Sequence, residues 1–93
     1  MADTSIIHGQ TVVITAGTEV ALGTSAPRLE KFFLYVKALV ANTGVIYVGT
    51  NPVTSGTGFE LLPGDQVIFQ VFDIAEIYID ASVDGDGVSF IGG

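Results

Sequence analysis

The clearest pattern in the chain runs from Leu29 to Val40. Its even positions, Phe32, Leu34, Val36, Ala38 and Val40, are all apolar. The odd positions Phe33, Tyr35, Lys37 and Leu39 form a second, mixed face. Period two over this length predicts a long strand with one buried face, and Lys37 turns the other face towards solvent or a partner. A helix is the alternative, but the density of Phe, Tyr and Val favours a strand. Glu76–Val83 alternates as cleanly, with Ile77, Ile79, Ala81 and Val83 opposite Glu76, Tyr78, Asp80 and Ser82. Val45–Gly49 places Ile46 and Val48 inside and Tyr47 outside. Gln66–Phe72 groups Val67, Phe69 and Val71 on one face.

Weaker strands flank these. Gln10–Thr15 puts Val12 and Ile14 on one face, Ala16-Gly17-Thr18 turns the chain, and Glu19–Leu22 returns it as a hairpin with Val20 and Leu22 inward. Val88–Ile91 is a last short strand. The turns carry their own signatures. Asn42-Thr43-Gly44 is a turn that Gly44 closes with positive φ. Leu62-Pro63-Gly64-Asp65 has Pro and Gly at the central positions of a type II turn. Asp84-Gly85-Asp86-Gly87 reads as a hairpin. Thr50–Gly58 is a surface loop. Turn signals at this spacing predict an all-β fold, a small antiparallel β-sandwich or jelly-roll-like barrel of about seven short strands. Residues 1–9 read as an N-terminal arm and 10–93 as a single β domain.

Composition adds a problem of surface. In 93 residues, 48% are hydrophobic and only 14% charged; an ordinary soluble domain has about 25% charged residues. Mean hydropathy is +0.59, yet a chain this short buries only roughly 60–65% of the surface it exposes unfolded. The excess apolar surface points to oligomerisation or docking on a larger assembly. A membrane does not fit: the run Phe32 to Val48 is interrupted by Lys37, Asn42 and Gly44, and a spanning helix needs ~20 residues. The net charge of −7 opposes nucleic acid, whose phosphates require Lys and Arg. With no cysteine there is neither a disulfide frame nor a zinc–thiolate site. Met-Ala-Asp-Thr-Ser lacks the basic start and apolar core of a signal peptide.

Candidate chemistry is thin. Asp80, Asp84 and Asp86 lie close together, but the acid spacing and distant Glu of a calcium loop are missing, and a hairpin accounts for Asp84-Gly85-Asp86-Gly87 better. His8 is the sole histidine and has no identifiable partner. There is no Gly-x-Ser-x-Gly elbow. Gly49–Gly58 lacks the lysine and following helix of a phosphate loop. Glu30 and Glu60 are the kind of carboxylate pair that any acidic β protein offers. No catalytic residue, metal site or cofactor is predicted, and the chain reads as a non-enzyme. Tyr35, Tyr47 and Tyr78 fall on outward faces, where tyrosine anchors protein interfaces or stacks on sugars.

One resemblance is carried by the strand ending Ala38-Leu39-Val40-Ala41-Asn42, then Gly44-Val45-Ile46-Tyr47-Val48-Gly49, Leu62-Pro63-Gly64-Asp65-Gln66-Val67 and Ile77-Tyr78-Ile79-Asp80-Ala81. With these turns and strand faces, about half the chain resembles small β-sandwich virion proteins of tailed bacteriophages. The resemblance implies a structural role as a head decoration or cement protein on the capsid surface. The partners would then be the major capsid protein and further copies of itself, with a trimer expected. A carbohydrate- or receptor-binding module of a tail or fibre and a tail-tube or connector component are the alternatives. The expected interface is Ile6 and Ile7 of the arm with the outward residues Phe33, Tyr35 and Tyr47.

Overall fold

A computed structural model describes residues 6–93; the first five residues of the expected arm lie outside the described residues. Eight strands run in chain order: β1 (Ile7–Val12), β2 (Val20–Ala21), β3 (Phe32–Ala38), β4 (Ile46–Gly49), β5 (Phe59–Leu61), β6 (Gln66–Val71), β7 (Tyr78–Ala81) and β8 (Gly87–Gly92). They form two four-stranded sheets. The first has the order β1-β8-β3-β6 and the second β2-β7-β4-β5, and every neighbouring pair is antiparallel. This β-sandwich has the interleaved strand order of a jelly roll.

The two sheets bury their facing side chains against each other. β3 alternates buried and exposed along its whole length, so the even-position reading holds from Phe32 to Ala38; Val40, beyond the strand end, is exposed. Leu34, Val36, Ala38 and Val88 of the first sheet meet Ile46, Ile79 and Leu61 of the second, all at 0–1% exposure. Truncating such a side chain, for example Leu34→Ala, costs about 3 kcal/mol from lost transfer energy and the cavity left behind.

β1 lies three residues earlier than expected. Ile7, His8 and Gly9, assigned to the arm, are its first half and pair with β8. Its facing is also shifted by one: Val13 just beyond it is fully buried, while Val12 and Ile14 are exposed. Hydrophobic periodicity misplaces this strand because two of its three inner positions, Gly9 and Thr11, are not large apolar residues. Gly9 lies under the Phe90 ring, which an added Cβ would meet at 3.0 Å. Thr11 turns inward because its hydroxyl donates to the Leu22 carbonyl (2.6 Å).

Both expected hairpins are crossings between sheets. β1 and β2 pair with β8 and β7 respectively, not with each other. The Asp84-Gly85 turn joins β7 of the second sheet to β8 of the first. Gly64 has φ +86° and the Asp65 N–H donates to the Leu62 carbonyl, as the Pro-Gly turn requires. Gly44 is not among the positive-φ glycines. A side chain is excluded there by crowding from the Ser82 hydroxyl and Val83. The strand expected from Glu76 starts later, because Ile74–Glu76 form a 3₁₀ turn capped by Asp73, with the Glu76 side chain bonded back to the Asp73 N–H.

Candidate functional site

The connections at one end of the sandwich are stitched together by side chains accepting backbone N–H groups. Asp84 accepts from Ala16 (2.7 Å). Asp80 accepts from Gly17 (2.9 Å) and Ala81 (2.8 Å). Asp86 accepts from Gly44 (2.8 Å) and, at 3.2 Å, from Thr43. The Asn42 amide pairs with the Gly87 backbone in both directions: it donates to the carbonyl at 2.8 Å and accepts from the N–H at 3.0 Å, as a neighbouring strand would. The three aspartates considered for a cation are therefore engaged in holding loops. Among the described residues, no group of three or more His, Cys, Asp or Glu is placed to hold a metal ion. This same end presents four apolar tips, one per connection: Ile14, Val40, Leu62 and Val83.

The opposite end is held by Asp73. It accepts from the Ser25 hydroxyl (2.6 Å) and the N–H groups of Ala26 and Ala75. The Ser25 bond first, then those two, keep its carboxyl below the ordinary aspartate range. Arg28 and Lys31 lie over the rings of Phe32 and Phe72.

Tyr47 is not an outward anchor. It belongs to the outer face of the second sheet but is only 9% exposed, because the segment 50–58 folds back over it. Val53 is buried there, and its N–H donates to Glu19 (2.8 Å). Gly58 approaches so closely that an added Cβ would stand 2.5 Å from the Tyr47 Cβ. Ile7, also expected at an interface, is half-buried and packs against the core.

The remaining expected residues come together on the outer face of the first sheet. The strand registers line up three rows across it. The middle row is His8, Ile91, Tyr35 and Ile68. On the side of the stitched loops lies Gln10, Ser89, Lys37 and Gln66. On the far side Phe33 stands between Gln70 and Gly93, whose N–H donates to the Phe33 carbonyl. Ile6 is exposed beside Gly93. Within these three rows four large apolar side chains are left half in water: Phe33 at 52%, Ile91 at 50%, Ile68 at 46% and Tyr35 at 44%. Ile68 and Ile91 went unread in the sequence, although each occupies the parity opposite to the inward residues of its strand. A shallow depression of about 430 Å³ opens over the first two rows, between His8, Gln10, Tyr35, Lys37 and Gln66.

None of the four strand segments of this sheet, IHGQTV, GVSFIG, FFLYVKA and QVIFQV, contains Asp or Glu. In a chain of net charge −7, this mixed apolar and amide-rich face has no carboxylate from its strands and Lys37 as its one full charge. Such a carboxylate-free surface suits contact with another acidic body.

The chain matches no protein-family model and no curated protein. No helix among the described residues is long and apolar enough to cross a membrane.

Proposed function

We propose that the chain is a non-enzymatic structural protein of a bacteriophage virion, a head decoration or cement protein. It would be made in the host cytoplasm and held on the capsid surface by the major capsid protein lattice and by further copies of itself. The single observation carrying this reading is that most of the large apolar side chains left exposed fall in two separate regions, the outer face of the first sheet and the four loop tips, with Leu29 and Phe59 outside both. A protein that bridges neighbours needs two adhesive surfaces on a rigid body, and multivalent attachment makes weak contacts effective. The jelly-roll order is compatible with this role, since viral capsid domains use it, but lectin domains do as well. The phage assignment itself comes from the resemblance of the strand-and-turn segments.

The test is to add the purified chain to phage heads that lack it and to follow co-sedimentation and the heat resistance of the heads. Saturable binding with raised heat resistance is expected. Heads that neither bind the chain nor gain resistance would overturn the reading.

A carbohydrate-binding module is the second reading, and the depression beside Tyr35 favours it. An aromatic ring flanked by amide, hydroxyl and amine groups suits a sugar ring. A reproducible glycan-array signal abolished by Tyr35→Ala would favour this reading over cementing. Tyr47→Ala is unsuitable for that purpose, because the side chain is buried.

A further inference from the structure

The chemistry of the first sheet's outer face identifies what covers it. We infer that a second copy of this chain docks there, face to face, about a twofold axis running parallel to the strands between β8 and β3.

Charge is the first argument. Two bodies of net charge −7 repel, and the repulsion is smallest when they meet through surfaces that carry no carboxylate. Of the chain's ten acids, Asp3 lies outside the described residues and none of the other nine belongs to a strand of this sheet. Pairing through this face holds the acidic loops and the second sheet away from the contact, at distances where salt screens them.

Self-complementarity is the second. A twofold axis along the strands keeps each row opposite itself and exchanges β3 with β8 and β6 with β1. From the observed registers, Tyr35 then faces Ile91 of the second copy and Phe33 faces its Gly93, a large ring against a residue without a side chain. Lys37 meets Ser89 and not another Lys37. Gln66 meets Gln10, an amide pair that supplies both donor and acceptor. Ile68 meets His8. A threefold axis cannot close two flat faces on each other, so the face favours a dimer over the trimer that the resemblance suggested.

Area is the third. Four strands about 4.8 Å apart and six residues long at about 3.3 Å each make a plane of roughly 19 by 20 Å. Covering it with its own copy removes on the order of 1,000 Å² in total, at the lower edge of specific interfaces. The expected dimer is therefore reversible. Because the axis runs along the strands, both sets of loop tips point the same way. If the cement reading holds, on which this last step rests, the dimer offers the lattice two adjacent docking ends.

Sedimentation equilibrium of the chain across a concentration series should give a monomer–dimer equilibrium that strengthens with ionic strength. Tyr35→Glu and Ile68→Glu, both outward-facing changes, should weaken association by about tenfold or more. Phe59→Glu, at an exposed residue of β5 in the second sheet, should leave it unchanged. β1 and β6 are opposite edges of the sheet, so a nuclear Overhauser contact between the His8 ring and the Ile68 methyls can arise only between copies. That contact is expected in a mixture of labelled and unlabelled chain. A monomer at every concentration, or equal effects of Phe59→Glu and Tyr35→Glu, would overturn the pairing, as would a dimer without the His8–Ile68 contact. A monomer that still binds heads would refute the dimer alone, whereas a dimer that ignores heads would refute the cement reading alone.

Discussion

The Asn42–Gly87 pairing can be broken in two ways that the physics distinguishes. Asn42→Ala removes both bonds of a half-buried amide, one of which is the partner of the Gly87 N–H; the Gly87 carbonyl keeps the Leu39 N–H. A net bond contributes about 1 kcal/mol and an orphaned polar group costs about 1–3 kcal/mol, so the expected loss is about 2 kcal/mol. For a small domain with a urea m-value near 1 kcal/mol/M, the unfolding midpoint falls by about 2 M with unchanged slope. Melting falls by roughly 8–16 °C. Asn42→Asp keeps an acceptor for the Gly87 N–H but turns an oxygen towards the Gly87 carbonyl, where the amide donated at 2.8 Å, and sets it near Asp86. The charged form is disfavoured in the fold, so the introduced carboxyl has a folded pKa above its unfolded value of about 3.9. A group raised in this way supports the fold below its unfolded pKa and loses that contribution as pH rises through the folded value. Asn42→Asp should therefore approach wild type only in acid and fall to or below Asn42→Ala at neutral pH, with both variants compared at each pH. A midpoint for Asn42→Ala within about 0.3 M of wild type, or pH-independence of the difference between the two variants, would refute this account of the loop end.

The remaining predictions concern other joints. Gly64→Ala forces a Cβ into φ +86° and should cost about 1–2 kcal/mol in urea unfolding. Gly87→Ala should cost more, about 2–3 kcal/mol, because the new Cβ meets backbone of β1, Thr11 O at 2.5 Å and Val12 Cα at 3.0 Å. Val53→Ala should destabilise by about 2 kcal/mol and raise acrylamide quenching of tyrosine emission, because it uncovers Tyr47. Asp73 has its carboxyl held below the ordinary range. The ties it makes should be complete above the ordinary aspartate value and be lost as pH falls through the lowered one. The Ala26 and Ala75 amide resonances should report that change, and Asp73→Asn should abolish it.

The parts of the fold visible in the sequence are those where one local rule acts alone. β3 announces itself because every inward residue is apolar and every exposed one follows the opposite parity. Leu62-Pro63-Gly64-Asp65 specifies its own turn without help. β1 was read three residues late because Gly9 and Thr11 occupy inner positions through a ring contact and a hydroxyl bond with residues distant in the chain. The crossings after β1 and β7 resembled hairpins because Gly17 and Gly85 do make tight turns; which sheet the next strand joins is settled elsewhere. Tyr47 illustrates the same gap. Its parity is outward, as read, but its burial depends on Val53 and Glu19 bringing a loop back over it. Half of the candidate surface, Phe33 and Tyr35, was legible from parity alone. Ile68 and Ile91 join it only through registers that no single strand encodes.

β8 has the first sheet's central place between β1 and β3, and it is the last of the eight strands to be synthesised. Until it emerges from the ribosome, β1 and β3 have no common neighbour, and β1 has no partner at all. The stitching of Asn42 to Gly87 must wait for the same segment. Folding of the first sheet therefore waits for β8, and its dominance by pairings distant in sequence places it among slow, high-contact-order folders. A nascent chain would carry Phe33, Tyr35 and two open strand edges exposed together, which is the period of greatest aggregation risk. Chaperone demand during synthesis, more than stability once folded, should limit how much of this protein a cell can make.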